Sequence, residues 1–261
     1  WAPRVGFVYK PSAQVSVRMA YQDWVRPFSV STLNSVDTAG IPLEDQLLGA
    51  GGRVKRSVVQ VGWTVGNDTF FAAKADHQDI QNPVSPGVDL RTPSLPFLDS
   101  LRNAQTVNLT SIELLEDKPE FEDGTVSSFS FGANRMVTSE LSAYLKYTLQ
   151  DTTSSYANTD VASGRVSGLR IPYLPRDTLV MGATWAGANR TYLGARAVYR
   201  SDRFEEKENL TLWPASWSLD LIGMWETADK RWIFGVAALN LGGAKSPRQS
   251  ARYVLDARYR F

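Results

Sequence analysis

Cysteine is absent from the sequence, and histidine occurs once, as His77. The lack of cysteine excludes disulfide bonds, thiol catalysis and cysteine-ligated zinc. Long hydrophobic runs are also missing, because no segment approaches the ~20 apolar residues of a membrane-spanning helix. An excess of charge is missing too, since 28 Lys and Arg stand against 27 Asp and Glu. A nucleic-acid-binding protein usually carries a basic excess, and no nucleic acid is therefore expected as a partner.

What the sequence does contain is a period-two alternation of apolar and polar residues. Near the last residue, Tyr253, Leu255 and Tyr259 alternate with Asp256 and Arg258. The same alternation occurs at 15–22, 59–65, 141–150 and 217–226. Such a pattern is typical of β-strands that have one apolar and one polar face.

Turn residues and long polar segments separate the alternating stretches. Short turns are predicted near Pro11, Gly66, Asn134, Gly187 and Thr227. Longer loops are predicted near 26–53, 80–123, 152–176, 201–214 and 242–250. The strands between them are predicted at 3–10, 14–24, 55–65, 69–79, 125–134, 139–150, 177–187, 190–200, 215–226, 231–241 and 251–261. A regular exchange of short turns and long external loops is typical of outer-membrane barrels.

The predicted fold class is therefore all-β, an antiparallel transmembrane β-barrel of the outer-membrane type that forms one domain over 1–261. Strands of ~9–11 residues suit a tilted bilayer crossing, whereas a soluble β-sandwich, the alternative, has strands of ~5–6 residues. Bacterial barrels usually have even strand numbers, so the 11 or 12 visible strands are expected to belong to a larger barrel. The segment 80–123 is expected to hold one long excursion or two further strands, one of them at 106–115, with a short helix at 97–103 as another reading.

Aromatic residues stand near the ends of the apolar sets, as in the girdles that barrels place at the two membrane interfaces. The candidate girdle residues are Tyr9, Tyr21, Trp24, Trp63, Tyr147, Trp185, Tyr199, Trp217, Trp225 and Phe261.

Five segments after residue 170 carry a family resemblance: IPYLPRDTLVMGATW, YLGARAVYRSDRF, WSLDLIGMWE, RWIFGVAALNLG and YVLDARYRF. Their order of strand, loop and strand, with Asn-Leu at 240–241, resembles the last barrel strands of TonB-dependent receptors. The segment 2–27 is similar to an earlier hairpin of such receptors. The resemblance implies an outer-membrane location in Gram-negative bacteria, with TonB or other periplasmic partners reached through N-terminal regions. No plug domain or TonB box can be placed in the chain, so it implies the barrel portion alone.

The terminal aromatics, Tyr259 and Phe261, resemble the signal by which the barrel-assembly machinery recognises its clients. This machinery, outer-membrane lipid and lipopolysaccharide are then expected partners. A second resemblance is carried by RPFSVSTL, AGIPLEDQLL and the segment 100–124. These are unlike ordinary receptor loops and resemble barrels appended to tetratricopeptide repeats, which serve in polysaccharide export or as surface receptors.

If the apolar faces meet lipid, the alternate polar residues line the lumen. The predicted lumen-lining residues are Arg18, Lys74, Lys146, Arg196, Arg200, Asp220, Arg252, Asp256 and Arg258. Most of them are basic, and a basic wall favours anionic solutes. The alternative is that these charges pair across neighbouring strands and only solvate the lumen.

Three further features of the sequence are candidates for a metal site, a phosphate loop or a catalytic site. The acidic segment from Glu113 to Asp123 lacks the spacing of a calcium loop, so no metal site is predicted there. GAGG at 49–52 lacks the Lys and Ser or Thr of a phosphate loop, and no cofactor is expected. His77 stands beside Asp76 and near Asp79, but adjacent strand residues point to opposite faces, and no G-x-S-x-G motif accompanies it. The protein is therefore not predicted to be an enzyme.

The predicted function is transport of a solute across the outer membrane, in the manner of a TonB-dependent receptor or a porin. The first alternative is the barrel of a repeat-linked polysaccharide exporter or surface receptor. The second alternative is a structural or adhesive surface module.

Overall fold

The computed structural model describes residues 1–26, 37–44, 47–49, 51–82, 121–156, 166–187, 189–242 and 251–260. Within these residues the regular structure consists of β-strands, and no helix there is long and apolar enough to cross a membrane. The strands are Arg4–Tyr9 (β1), Val15–Val25 (β2), Asp37–Thr38 (β3), Ile41–Pro42 (β4), Arg53–Val65 (β5), Thr69–Gln81 (β6), Asp123–Met136 (β7), Leu141–Ser155 (β8), Asp177–Gly187 (β9), Thr191–Arg200 (β10), Arg203–Phe204 (β11), Leu212–Trp213 (β12), Ser216–Glu226 (β13), Trp232–Leu241 (β14) and Arg252–Tyr259 (β15).

Eleven of these strands form one antiparallel sheet in the order β1-β2-β5-β6-β7-β8-β9-β10-β13-β14-β15. The two short pairs, β3 with β4 and β11 with β12, are separate hairpins. Among the described residues β1 and β15 do not pair with each other, so the sheet is open, as expected for part of a barrel. The eleven strands predicted from alternation are confirmed, and the largest shift is at β8, which extends to Ser155. The strand predicted at 106–115 and the helix at 97–103 lie outside the described residues.

The short and long connections lie at opposite ends of the sheet. We call these the short-turn end, with connections such as 66–68 and 137–140, and the long-loop end. Local chemistry fixes the short turns: the Thr138 hydroxyl accepts N–H groups from Glu140 and Leu141, at 3.2 and 3.0 Å. Because the strands are antiparallel, all five predicted short turns fall at one end.

The sheet has two chemically different faces. The register aligns Phe7, Met19, Val59, Ala75 and Phe129 across five strands on one side, which we call the apolar face. Phe7, Val59 and Phe129 keep 59%, 40% and 48% of their surface exposed. The opposite side, which carries the alternate residues of the same strands, is called the polar face.

Aromatic side chains form two rows on the apolar face. Near the short-turn end, Trp63 stacks on Phe71 with 5.3 Å between ring centroids, and Trp232 lies 4.9 Å from Tyr259. Near the long-loop end, Tyr199 lies 5.2 Å from Trp217. Trp217 and Trp225 on β13 belong to different rows and are about 26 Å apart along the strand at ~3.3 Å per residue. A tilt of roughly 40° reduces this to about 20 Å, near the ~25 Å height of a barrel's apolar band.

The girdle prediction is wrong for Trp24. Trp24 pairs with Val54, and both side chains lie on the polar face. There Trp24 packs against buried apolar residues, and the Arg4 guanidinium lies 5.6 Å from its ring centroid. Trp24 has an even number and Tyr21 an odd one, so the two side chains of β2 lie on different faces of the sheet. Tyr21 lies on the apolar face, as the girdle prediction requires.

A β-bulge interrupts β14 opposite Asp220. The register shifts between Leu219 and Leu221, so β14 contributes an extra residue there. Asn240 has a φ of 57°, and its backbone N–H donates a 2.7 Å hydrogen bond to the Asp220 carboxylate. Asparagine adopts the left-handed region at lower cost than most residues, which suits it to this bulge.

Asn240→Val should destabilise the full-length protein by about 1–2 kcal/mol, because a β-branched residue is strained at positive φ. Asn240→Gly keeps the backbone N–H and tolerates this φ, so it should stay close to wild type. The measurement is urea unfolding in lipid vesicles. Equal unfolding midpoints for the valine and glycine variants would contradict the strain argument.

Candidate functional site: the polar face

The polar face holds all nine residues predicted to line a lumen. The register places the following on this one side of the sheet: Arg18, Lys74, Lys146, Arg196, Arg200, Asp220, Arg252, Asp256 and Arg258. Of the two residues predicted to form an assembly signal, Tyr259 lies on the apolar face beside Trp232, and Phe261 lies outside the described residues.

Several of these charges are paired. Arg196 donates through Nε to Asp220 at 2.9 Å across β10 and β13, and Arg258 contacts Asp256 at 2.7 Å on the same strand. Lys74 lies 3.1 Å from Asp76, two residues along β6. The pairing alternative therefore describes much of this face.

Three predicted residues have no ion pair in the described part of the chain, Arg18, Lys146 and Arg200, and Arg18 donates instead to the Gly40 carbonyl. The Lys146 side chain lies at mid-strand, whereas Arg200 ends β10 at the long-loop end. Arg200 is half-buried, and the charge of Arg196 acts on it from the same face. Arg200 is therefore a cation without an ion pair among the described residues at the long-loop end of this face.

The most buried charge on the face is Arg56, which the sequence analysis did not single out. Its side chain is 0% exposed, and it forms a bidentate ion pair with Asp76, which is 1% exposed. The guanidinium also donates to the Pro42 carbonyl at 2.8 Å and lies 3.1 Å from Glu44. Arg56 has an even number on β5, as Gln60 has, and the alternation therefore places both on the polar face. This position could have identified Arg56 from the sequence.

The Arg56 network holds the β3–β4 hairpin against the polar face. Gln22 donates to the Ile41 carbonyl at 3.1 Å, and Arg18 donates to the Gly40 carbonyl at 3.2 Å. Ile41 packs on Ala20 and Val58 beneath the hairpin. The described part of this connection is therefore a layer on the sheet and not a free external loop.

A buried apolar cluster covers the long-loop end of the polar face. It joins Val54, Ile80 and Val126 of the sheet to the loop residues Leu48 and Ile171. In this zone the chemistry of the two faces is inverted, because the other side carries Lys55, His77 and Asp79. The strands here extend past the apolar band, and loop residues supply the apolar cover.

The loops after β8 and β10 pack on each other above this cluster. Asn209, with a φ of 56°, exchanges hydrogen bonds with the backbone of Arg170 at 2.9 Å each. Tyr173 lies edge-on to Trp213 at 5.7 Å, and Trp213 covers the Arg203 guanidinium at 5.0 Å. We call this assembly of residues 166–174 and 201–213 the loop layer.

Arg203 in the loop layer is 3% exposed. Both terminal guanidinium nitrogens are buried without a hydrogen-bond partner. Burial lowers the pKa of Arg203, and the charge of Arg200 lowers it further. No sequence pattern pointed to this residue, since it lies in a two-residue strand within a predicted loop.

His77 lies on the apolar side of the sheet, at its polar long-loop end. Its Nδ1 is 2.8 Å from the Ser127 hydroxyl, and its Nε2 is 3.4 Å from Asp79. Asp76 lies on the other face with Arg56, as the alternation predicted. Ser127 lies on β7, which is paired with β6 on one side and with β8 on the other. The backbone N–H groups around Ser127 are therefore engaged in the sheet, whereas an oxyanion hole needs free N–H groups.

The acidic segment 113–123 lies mostly outside the described residues. Within the described ranges, no group of three His, Asp or Glu side chains is placed to hold a metal ion.

No protein-family model matches the sequence, and no curated protein matches it significantly. Solved structures do match. The siderophore receptor PiuA from Acinetobacter baumannii superposes with a TM-score of 0.59 at 14% identity, over 99% of this chain and 35% of that one. The FrpB iron transporter from Neisseria meningitidis gives 0.59 at 11% identity, over 100% and 38%.

The ferric yersiniabactin uptake receptor FyuA from Yersinia pestis gives a TM-score of 0.59 at 10% identity, over 100% of this chain and 37% of that one. The chain thus spans little more than a third of the length of these structures. The predicted fold, a portion of a TonB-dependent-receptor-like barrel, is confirmed by these matches.

Removing one partner of the Arg56–Asp76 pair should be costly, because it leaves a buried charge uncompensated. Arg56→Met should destabilise the full-length protein by about 3–5 kcal/mol, measured by urea unfolding in lipid vesicles. The double variant Arg56→Met with Asp76→Leu should lose less than the sum of the single losses.

The matched control for this cycle is Arg258→Met. Arg258 sits on the same face, but its ion pair is exposed, so its loss should be within about 1 kcal/mol. Equal losses for Arg56→Met and the control would refute the buried network.

Proposed function

With the barrel-wall fold of siderophore receptors as the premise, we propose that this chain is the barrel portion of an outer-membrane transport protein. The observation that carries the proposal is the contrast between the two faces of one sheet. One face exposes Phe7, Met19, Val59, Phe129 and Leu221, and the opposite face carries paired charges.

An exposed apolar face of this extent needs an apolar neighbour. Soluble monomers rarely expose apolar patches beyond a few hundred Å², whereas this one continues from β1 to β15. The two aromatic rows support lipid as that neighbour, since they match the interface girdles of a membrane barrel. The antiparallel ladder supports it too, because it satisfies the backbone groups that lipid cannot.

The polar face would then line the water-filled interior, and its residues would meet the solute. The nine predicted residues are the proposed lining, with Arg56 as an anchor for the β3–β4 hairpin. The matched structures are named as siderophore receptors and iron transporters, which makes ferric chelates the first solutes to test. The proposed role is passage of a solute and not catalysis.

The proposed partners follow from the same placement. Lipid and lipopolysaccharide would contact the apolar face, and the barrel-assembly machinery would read Tyr259 and Phe261. TonB or another periplasmic partner would act through other parts of the full-length protein.

A charge on the apolar face should block assembly, and the next residue along the strand provides a matched control. Val59→Lys should cost about 2–4 kcal/mol near the bilayer midplane and should reduce the heat-modifiable, folded fraction of the full-length protein in outer membranes. Gln60→Glu places a charge on the polar face, directly opposite Arg18 and Lys74, and should assemble normally. Equal assembly of both variants would contradict the assignment of the faces.

Transport itself is tested in cells that carry or lack the full-length protein. Uptake of labelled ferric chelates should depend on the protein, and cell fractionation should place it in the outer membrane. A soluble location would overturn the membrane assignment. If the protein is a folded outer-membrane barrel but supports uptake of no chelate, the proposed uptake of iron complexes is overturned. A structural surface module is then favoured.

A further inference from the structure

The buried guanidinium of Arg203 is the feature of the loop layer that the proposed function leaves unexplained. It is 3% exposed, and two of its nitrogens have no hydrogen-bond partner. A buried charge without a partner is strongly unfavourable, so natural proteins rarely keep one without a counterion or ligand. The arrangement therefore points to a missing anion.

The carboxylates nearest to Arg203 in sequence are engaged elsewhere. Asp202 faces Arg170 at 3.9 Å. Glu205 accepts a 3.0 Å hydrogen bond from the Trp213 indole, and Glu206 accepts the backbone N–H of Thr211. These three acids of the loop thus contact other groups, and none of them pairs with Arg203.

Arg200 supplies a second cation beside Arg203. It is half-buried, it has no ion pair within the described residues, and its charge acts on Arg203. Asp220, the acid that acts on Arg200, already accepts hydrogen bonds from Arg196 and from the Asn240 backbone. Two arginines at the long-loop end therefore share a deficit of negative charge.

We propose that Arg200 and Arg203 form a binding subsite for an anionic oxygen group, a carboxylate or a phosphate, of the transported solute. This inference rests on the proposed function, because the long-loop end is where an external solute would arrive. Planar guanidinium groups bind both kinds of group through paired hydrogen bonds. Arg200 is half-buried and Arg203 is buried, so Arg200 is the more accessible contact of the two.

Contact with Arg203 requires a movement of Trp213, whose ring covers the guanidinium at 5.0 Å. Trp213 is held by its hydrogen bond to Glu205 and by its edge contact with Tyr173. Anion binding should therefore change the environment of this indole, which gives the subsite its own optical signal.

The test measures binding of citrate and of inorganic phosphate to the full-length protein in detergent, by equilibrium dialysis at constant ionic strength. Wild type should bind at least one of them saturably, and competition between the two shows whether carboxylate or phosphate is preferred. Arg203→Gln and Arg200→Gln should each weaken binding at least about tenfold, as expected for a lost charge-assisted hydrogen bond. Binding should shift the tryptophan emission of wild type, and Trp213→Phe should remove that shift while binding persists.

Arg170→Gln is the matched control, because Arg170 belongs to the same loop layer and lies 5.7 Å from the Phe204 ring but faces Asp202. Its affinity should stay within about twofold of wild type, since exposed pairs contribute little. Arg203→Lys keeps the charge and should bind more tightly than Arg203→Gln, which separates charge from packing. Heat-modifiable migration checks that each variant is folded.

The inference is overturned if wild type binds neither anion, or if a folded Arg203→Gln protein binds as wild type does. Its failure is distinguishable from failure of the proposed function, because binding in detergent requires neither membrane location nor uptake. Anion binding without uptake would overturn the transport proposal alone.

Discussion

The antiparallel backbone ladder is the constraint on which the rest of this structure depends. A strand that exposes one face to an apolar medium cannot leave N–H or C=O groups unpaired there. Each of the long strands from β2 to β14 is therefore paired on both sides. Once the ladder is fixed, successive side chains must point to opposite faces of the sheet. The apolar band, the aromatic rows and the charged face all follow from this single regularity.

Alternation is also why the eleven long strands could be predicted from the sequence. A period of two is a local property, and it needs no knowledge of distant contacts. The nine polar-face residues followed from it directly. Trp24 was assigned to a girdle because it is aromatic, although its even position places it on the polar face. Arg56, which also has an even number, lies on the same face.

The loop layer and the β3–β4 hairpin could not be predicted in this way. The β3–β4 and β11–β12 hairpins are two residues long on each side, too short to show a period. Burial of Arg203 depends on Trp213, ten residues away, and on Tyr173 from another loop. The inverted zone, where Leu48 and Ile171 pack on Val54, Ile80 and Val126 of the polar face, also arises only from contacts between distant segments.

The bulge at Asn240 has a consequence for how this wall can change in evolution. Beyond the bulge, Leu241 pairs with Leu219 on the apolar face, although odd-numbered residues earlier in β14, such as Gly235 opposite Asp256, belong to the other side. The extra residue of β14 thus shifts the register at this one point, and the residues on either side of the bulge keep their faces. Deletions or insertions of one residue should therefore be tolerated near Asn240 more often than elsewhere in the long strands, where they would exchange the two faces. Length variation among relatives would concentrate at this position.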